Sequence, residues 1–202
     1  MGKSGEKRFD AERRMRALSA GVSLILDGQC SIFRLEQVRH FSTHSQSLQS
    51  MNINIRPATV ADTAVIARFN ALIAAETEHI TLDEGRLQKG VAALLKDSSK
   101  GLYFLAEMND LAVGQLMITY EWSDWRNGTF WWIQSVYVEA HARESGVFKS
   151  LFEYIHSLAS SRPDVCGLRL YVDENNGRAR QTYARLGMKE SHYRMYELDF
   201  VL

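Results

Sequence analysis

Residues 130–146 read FWWIQSVYVEAHARESG, and residues 147–158, VFKSLFEYIHSL, follow directly. The part up to Val138 is rich in β-branched and aromatic residues, which predicts a strand. A polar loop containing Arg143 and Gly146 comes next, and apolar residues then recur at helical spacing. The first N–H groups of a helix have no partner inside it, and the helix dipole adds partial positive charge there. This order of elements predicts an anion site, where Gly146 lets the backbone approach a phosphate closely.

A second segment, residues 172–188, reads VDENNGRARQTYARLGM and follows a predicted strand at 167–172. Aspartate and asparagine are helix-capping residue types, and they stand just before apolar residues at helical spacing. Gly187 stands where the C-terminus of that helix favours glycine. The segment therefore predicts a second strand–loop–helix unit.

Together the two segments resemble motifs A and B of the Gcn5-related N-acetyltransferase (GNAT) family. Motif A is Gln or Arg, two residues, Gly, one residue, then Gly or Ala. This chain has Arg143 and Gly146, but the bulky Phe148 stands at the third position. Motif B has an asparagine that begins the helix, a tyrosine on it and a Leu-Gly-Met or Leu-Gly-Phe end. The resemblance covers residues 51–202 and implies the α/β acyl-CoA N-acyltransferase (GNAT) fold, a mixed, mostly antiparallel sheet of six to seven strands with helices on both faces.

The resemblance also implies acetyl-coenzyme A as cosubstrate. Its pyrophosphate would lie on the loop amides, and its pantetheine arm on the end of the preceding strand. The pyrophosphate residues would be Arg143, Glu144, Ser145, Gly146, Val147, Phe148 and Lys149, and the arm residues Val136, Tyr137 and Val138. Asn175 would cap the motif B helix or hydrogen-bond the arm. Phe148 could crowd the phosphates or pack inward. Glu144 brings unfavourable negative charge, which Lys149 could offset.

Acetyl transfer to an amine requires that the amine lose a proton and that the departing thiolate gain one. By resemblance, Tyr183 is the acid that protonates the thiolate. Some family members carry a glutamate base where this chain has Gln134, which can position a water or the amine but cannot act as a base. Glu121 and Asp124 are alternative bases, or they attract a cationic amine. A chain of waters could replace a side-chain base altogether.

The resemblance implies an N-acetyltransferase that acetylates a primary amine of a small molecule or protein by direct attack in a ternary complex. The alternative is a catalytically weak GNAT-fold module that binds coenzyme A or a partner as a sensor, which Phe148, Glu144 and Gln134 favour. Residues 121–125, EWSDW, weakly resemble the diamine and polyamine acetyltransferases. A small-molecule or peptide amine is therefore the expected partner. The resemblance leaves the oligomeric state open between a monomer and a homodimer, because family members often pair through sheet edges or C-terminal strands.

Composition narrows the function classes. The chain has 24 basic and 24 acidic residues, and this zero net charge argues against a nucleic-acid binder. No apolar run approaches the roughly 18 residues of a membrane span. The two cysteines, Cys30 and Cys166, are not spaced like metal ligands, and the six histidines are not either, so no metal is expected. The expected location is the cytoplasm.

The first fifty residues differ from the rest, with eight basic and five acidic residues and the polar end FSTHSQSLQS. We expect residues 1–50 to be an extension, poorly ordered or the product of an over-long start, before an N-acetyltransferase domain at 51–202. A mitochondrial presequence is an alternative that the acidic residues argue against.

Further elements follow from the pattern of residues 52–200. Thr59 with Asp62, and Thr81 with Glu84, resemble capping boxes ahead of two apolar helical stripes. Asn127-Gly128 is the strongest hairpin signal in the chain, because both turn residues tolerate positive φ. The remaining predicted strands are residues 52–56, 102–108, 111–121 and 192–200.

Overall fold

A computed structural model describes residues 52–200 of the chain. The expectations for residues 1–50, an extension or a presequence, lie outside the described residues.

One five-stranded sheet organises this part of the chain. Its strands are β1 (Ile53–Pro57), β2 (Leu102–Met108), β3 (Leu111–Ser123), β4 (Gly128–Val138) and β5 (Val165–Arg169), and they lie in that order across the sheet. Neighbouring strands are antiparallel from β1 to β4, whereas β4 and β5 are parallel. The predicted α/β class with a mixed, mostly antiparallel sheet is confirmed.

The prediction of six to seven strands is corrected to five within the described residues. Residues 192–200 alternate like a strand but form no secondary structure. Alternation alone does not make a strand, because a strand needs a neighbour to receive its backbone hydrogen bonds. Several of the apolar side chains are exposed, including Tyr196 and Phe200 at 89% and 87%. The strand predicted at 167–172 likewise ends at Arg169.

Helices cover both faces of the sheet, as predicted. They are α1 (Thr63–Ile73), α2 (Glu84–Leu95), α3 (Val147–Ser160) and α4 (Gly177–Arg185), and a π-helical turn, Ala74–Glu78, extends α1. The first core lies between the sheet and α3 and includes Phe104, Leu116, Ile118, Leu151 and Ile155. The second lies between the sheet and the α1–α2 pair and includes Ile66, Phe69, Val91, Tyr103 and Leu105.

One of the two predicted helix caps is confirmed. The Thr59 backbone N–H donates to the Asp62 carboxylate at 2.7 Å, at the single 3₁₀ turn that precedes α1. The cap at Thr81 and Glu84 is wrong. Asp83 caps α2 instead, because its carboxylate is in place to accept from the Arg86 N–H at 2.6 Å.

A β-bulge interrupts β4. Met117 of β3 pairs with Gln134, but Gln115 pairs with Tyr137, so two residues of β4 oppose Leu116 alone. Ser135, at the bulge, has φ 46°, which is uncommon for a residue other than glycine. A bulge bends its strand and increases the local twist. The bulge is thus where the second half of β4 changes direction.

Candidate active site

The site begins where β4 and β5 separate. Their pairing stops at Trp132 and Arg169, although β4 continues to Val138. Within residues 52–200, no strand pairs with the β5-facing edge of residues 133–138. The predicted arm residues Val136, Tyr137 and Val138 lie on this open part of β4. An open strand edge can hydrogen-bond a ligand that lies along it like an added strand.

The N-terminus of α3 follows at the end of β4. Gly146 adopts φ 90° and a Cβ there would have no atom within 4 Å, so the loop is open on that side. The first helical hydrogen bond runs from the Ser150 N–H to the Gly146 carbonyl at 2.9 Å. The N–H groups of Val147, Phe148 and Lys149 therefore have no helical partner. This cradle fits a phosphate.

Arg143 is held against the end of α1. Its Nη2 lies 2.6 Å from Glu76 Oε2, and its Nε donates to the Val138 carbonyl at 2.9 Å. The hydrogen bond to Glu76 raises the pKa of Arg143 above its ordinary value. The Tyr137 hydroxyl also donates to Glu76 Oε1, at 3.2 Å. Arg143 therefore anchors the loop to Glu76, and its side chain already hydrogen-bonds the Val138 carbonyl.

Charges near the loop are paired. Glu144 Oε1 lies 2.8 Å from Arg178 Nη2 on α4. Lys149, expected to offset Glu144, instead lies 3.7 Å from Glu153 one helical turn along α3. The Ser145 hydroxyl donates to the Ala142 carbonyl at 2.6 Å. Arg178 is thus the neighbour that compensates the negative charge of Glu144.

Phe148 packs inward rather than across the loop. Its ring lies 6.2 Å from that of Phe152 and 5.7 Å from that of Tyr183, in an edge-to-face arrangement with the latter. Burial raises the pKa of Tyr183 above its ordinary value, so its phenol keeps its proton at neutral pH. The predicted acid on α4 is therefore in contact with the second residue of α3.

The predicted capping residue is corrected by one position. Asn176, not Asn175, caps α4, and its side chain accepts from the Ala179 N–H at 3.0 Å. The backbone N–H of Asn175 donates to Asp173 Oδ1 at 2.7 Å, which forms the turn before the helix. Two neighbouring asparagines have the same capping propensity, so the sequence alone could not separate them.

Gln134 and Glu121 lie on the sheet face that also carries α1 and α2. Gln134 Nε2 donates to the Thr119 hydroxyl at 2.6 Å. The Glu121 carboxylate accepts from Trp132 Nε1 and pairs with Arg169 Nη1 at 2.6 Å. Trp132 and Arg169 lower the pKa of Glu121, so this carboxylate is a weaker base than an ordinary glutamate.

Asp124, the other acidic candidate, belongs to a short 3₁₀ turn after β3, where it accepts from the Trp125 N–H at 2.9 Å. Trp122 and Trp125 are exposed beside it, while Trp131 is in the core. Only part of the tryptophan cluster is therefore available to a ligand.

Three residues that sequence reasoning missed contribute to this site: Glu76, Arg169 and Arg178. Arg178 lies within the motif B segment, so the presence of a basic residue there was visible in the sequence. Glu76 lies 67 positions before its partner Arg143, and no local pattern connects the two. Arg169 lies at the last β5 position paired with β4, which only the register reveals.

Residues 52–200 contain neither a metal centre nor a membrane-spanning helix. Residues 52–200 bring together no group of three metal-ligating side chains. No helix among them has the length and apolar character needed to cross a membrane.

Comparison with known proteins identifies the family. The model of the acetyltransferase (GNAT) family matches residues 69–188. A possible acetyltransferase from Clostridium difficile 630 is 47% identical, with 74% of this chain and 99% of that chain covered and a TM-score of 0.69. No curated protein matches the chain.

Two more distant structures share the fold. A predicted acetyltransferase from Clostridium acetobutylicum, solved with acetyl-CoA, is 17% identical, with 73% and 96% of the two chains covered and a TM-score of 0.60. A ribosomal-protein-alanine N-acetyltransferase from Brucella melitensis biovar Abortus 2308 is 17% identical, with 74% and 100% covered and a TM-score of 0.59.

The site thus combines an open edge of β4, the N-terminal cradle of α3 and the Tyr183 phenol on α4. The family model and a relative of 47% identity agree with this site. The chain belongs to the acetyltransferase (GNAT) family and is an N-acetyltransferase.

Proposed function

We propose that this protein transfers the acetyl group of acetyl-CoA to a primary amine of a small molecule or peptide, by direct attack while both substrates are bound. The observation that carries the proposal is the contact between Phe148 and Tyr183, whose ring centroids are 5.7 Å apart. It joins the helix whose amides would hold the phosphates to the helix that carries the acid.

The residues present fit acetyl-CoA. The amides of Val147, Phe148 and Lys149 would hold the pyrophosphate, and Gly146 leaves open space in front of them. The unpaired edge of β4 would hold the arm. Arg178 pairs with Glu144 and so reduces the repulsion that this carboxylate would exert on a phosphate. When bound, acetyl-CoA supplies the activated acetyl group.

Tyr183 supplies the proton for the departing sulfur. Its raised pKa keeps the phenol protonated across the neutral range. A phenol can protonate a thiolate, which is a strong base while it forms. The amine gives up its own proton to solvent, since Gln134 cannot accept it and Glu121 is a weakened base.

Glu121 and Gln134 lie on one face of β3 and β4 and would receive the amine. Because its pKa is lowered, Glu121 stays ionised at neutral pH and attracts a cationic ammonium group. The Gln134 amide, fixed through Thr119, presents an oxygen that can accept a hydrogen bond from the amine. The Arg169 guanidinium beside Glu121 offsets part of this attraction, so the carboxylate would act on the amine mainly as a hydrogen-bond acceptor.

One observation favours the sensor as a second candidate. Arg143 is bound to Glu76, and the Val138 carbonyl accepts from Arg143. A ligand arm would have to do without that carbonyl or displace the arginine. Weak acetyl-CoA binding without turnover would follow.

The two candidates separate in two measurements on the purified chain. Calorimetry with acetyl-CoA and with coenzyme A measures binding. A thiol-release assay over diamines, polyamines, amino acids, aminoglycosides and peptides measures turnover. We expect binding and turnover with a cationic amine. Binding without turnover across the panel would favour the sensor, and no binding would reject both.

A further inference from the structure

A glutamine in the middle of β3 is fully buried. Gln115 has no exposed surface, and within the described residues its Oε1 has no hydrogen-bond partner. A buried polar atom without a partner destabilises the folded state, whereas an apolar side chain of similar volume does not. Packing alone therefore does not explain a glutamine at position 115. The hydrogen bonds of its amide nitrogen, Nε2, provide an explanation.

The Gln115 amide nitrogen connects three elements. Nε2 donates to Asn70 Oδ1 on α1 at 2.6 Å and to the Ser135 carbonyl on β4 at 3.2 Å. Asn70 in turn donates from Nδ2 to the Tyr103 hydroxyl on β2 at 2.9 Å. A continuous set of polar contacts thus links α1, β2 and β3 to a single residue of β4. That residue is the one at the bulge.

Ser135 is held in a conformation that it would not favour by itself. Its φ of 46° lies in the left-handed region, where residues other than glycine are strained. Such strain persists only when surrounding contacts impose it. Its carbonyl accepts a hydrogen bond from Gln115 Nε2 at 3.2 Å. Gln115 is therefore one of the contacts that hold the bulge.

The bulge lies between the two parts of β4 that the proposed function uses differently. Gln134, before it, faces the amine side, and residues 136–138, after it, form the open edge for the cofactor arm. If Ser135 left this conformation, the bulge would no longer accommodate the extra residue of β4. The following residues could then shift by one position against β3, and such a shift reverses the direction of their side chains and backbone groups.

We propose that Gln115 is a positioning residue: it holds the Ser135 bulge and thereby sets the β4 edge in the orientation that binds acetyl-CoA. The inference rests on the proposed function. The role explains why a buried amide stands where an apolar residue would pack. Gln115 acts through Ser135 and does not itself contact either substrate.

The decisive variant is Gln115→Met, which keeps length and approximate volume but removes the amide. We expect the Kd for acetyl-CoA to rise about tenfold, while the KM for the amine and the thermal midpoint change little. Gln88→Met is the matched control, because Gln88 is an exposed residue of α2 whose amide donates to its helix neighbour Glu84 at 3.1 Å. We expect it to behave as the unmodified chain.

A second variant tests the bulge itself. In Gln115→Met/Ser135→Gly, glycine adopts positive φ without strain, so most of the lost affinity should return. Hydrogen exchange of residues 133–138 gives a readout that needs no ligand, and Gln115→Met should accelerate it severalfold. If acetyl-CoA affinity and exchange in Gln115→Met both match the unmodified chain, the inference is overturned.

The remaining outcomes are also decisive. A lower thermal midpoint with unchanged affinity would show a purely structural role and overturn the inference. If the unmodified chain binds no acetyl-CoA, the proposed function fails, and exchange alone decides whether Gln115 holds the bulge: acceleration supports it and its absence rejects it.

Discussion

The ring of Phe148 meets the ring of Tyr183 edge to face, with an interplanar angle of 73° and centroids 5.7 Å apart. The departure from the small residue expected in motif A therefore has a structural use. The ring that occupies the third motif position packs against the tyrosine of motif B.

Tyr183→Phe is expected to lower kcat roughly 100-fold or more, because it removes the proton but keeps the ring. The Kd for acetyl-CoA should change less than threefold, and the thermal midpoint should stay close to that of the unmodified chain. A thiol-release assay measures kcat, and calorimetry measures the Kd for acetyl-CoA. Undiminished kcat would assign the acid to another group.

The alkaline side of the pH–rate profile tests the same residue. Burial raises the pKa of Tyr183, so its proton is lost only above the ordinary tyrosine value of about 10. We expect kcat at saturating amine to show no decline from loss of this proton between about pH 7 and 10. A decline centred below pH 9 that Tyr183→Phe abolishes would contradict the raised pKa.

Phe148→Leu separates packing from crowding. Loss of the ring contacts with Phe152 and Tyr183 should destabilise the fold by about 1 kcal/mol, as aromatic pairs contribute roughly that much beyond burial. Because Tyr183 loses its neighbour, kcat should also fall severalfold. Denaturant unfolding would measure the loss of stability, and thiol release would measure the fall in kcat. If the ring instead crowds the phosphates, acetyl-CoA would bind more tightly to the variant.

Glu144→Gln and Arg178→Gln form a matched pair of opposite sign. The two side chains are exposed at 75% and 73%, so neither change should alter stability by more than about 0.5 kcal/mol. Glu144→Gln should tighten acetyl-CoA binding at low salt, and Arg178→Gln should weaken it. Both effects should shrink as salt is raised. Equal responses at all salt concentrations would exclude an electrostatic origin.

Asp62 should make the fold sensitive to acid. The Arg56 guanidinium beside it lowers the pKa of Asp62 to about 2. Since the folded pKa is below the unfolded one, the stabilisation is present above about pH 4 and is lost as the pH falls towards 2. Asp62→Asn should cost roughly 1–2 kcal/mol at pH 7 after allowance for partial exposure.

The difference between the unmodified chain and Asp62→Asn should close at low pH, as measured by denaturant unfolding at several pH values. Asp164→Asn provides the control, because its ion pair with Arg162 is fully on the surface. A constant difference from pH 2 to 7 would show that ionisation of Asp62 is not the cause.

Glu121→Gln tests the acceptor side. Loss of the carboxylate leaves the positive charge of Arg169 unpaired there, so the KM for a cationic amine should rise severalfold while kcat changes little. Asp110→Asn, the same charge change in the turn between β2 and β3, should leave both constants unchanged. A fall in kcat with an unchanged KM would instead indicate that Glu121 acts as a base.

The sequence predicted the sheet well where local signals suffice. The bounds of β2 are those predicted. A hairpin joins β3 to β4 with Asn127 at φ 45°, but the turn is Asp124–Arg126 and Gly128 is already the first residue of β4. Prediction from the sequence failed where a residue's structure depends on a partner that is distant in the chain. The alternating residues 192–200 find no neighbouring strand, and Glu76 reaches Arg143 only after α1 has packed on the sheet. Burial of the Gln115 amide likewise follows from tertiary packing that a single strand pattern does not specify.

An unpaired strand edge normally invites another chain to add to it, and proteins protect such edges with charge or cover. Within residues 52–200, the β5-facing edge of β4 is unpaired from Ile133 to Val138, beginning one residue beyond the last position paired with β5. A ligand arm that lies along this edge would hydrogen-bond the backbone groups that an added strand of another chain would otherwise use. The edge that is open to a ligand is therefore also the edge that a bound ligand would cover.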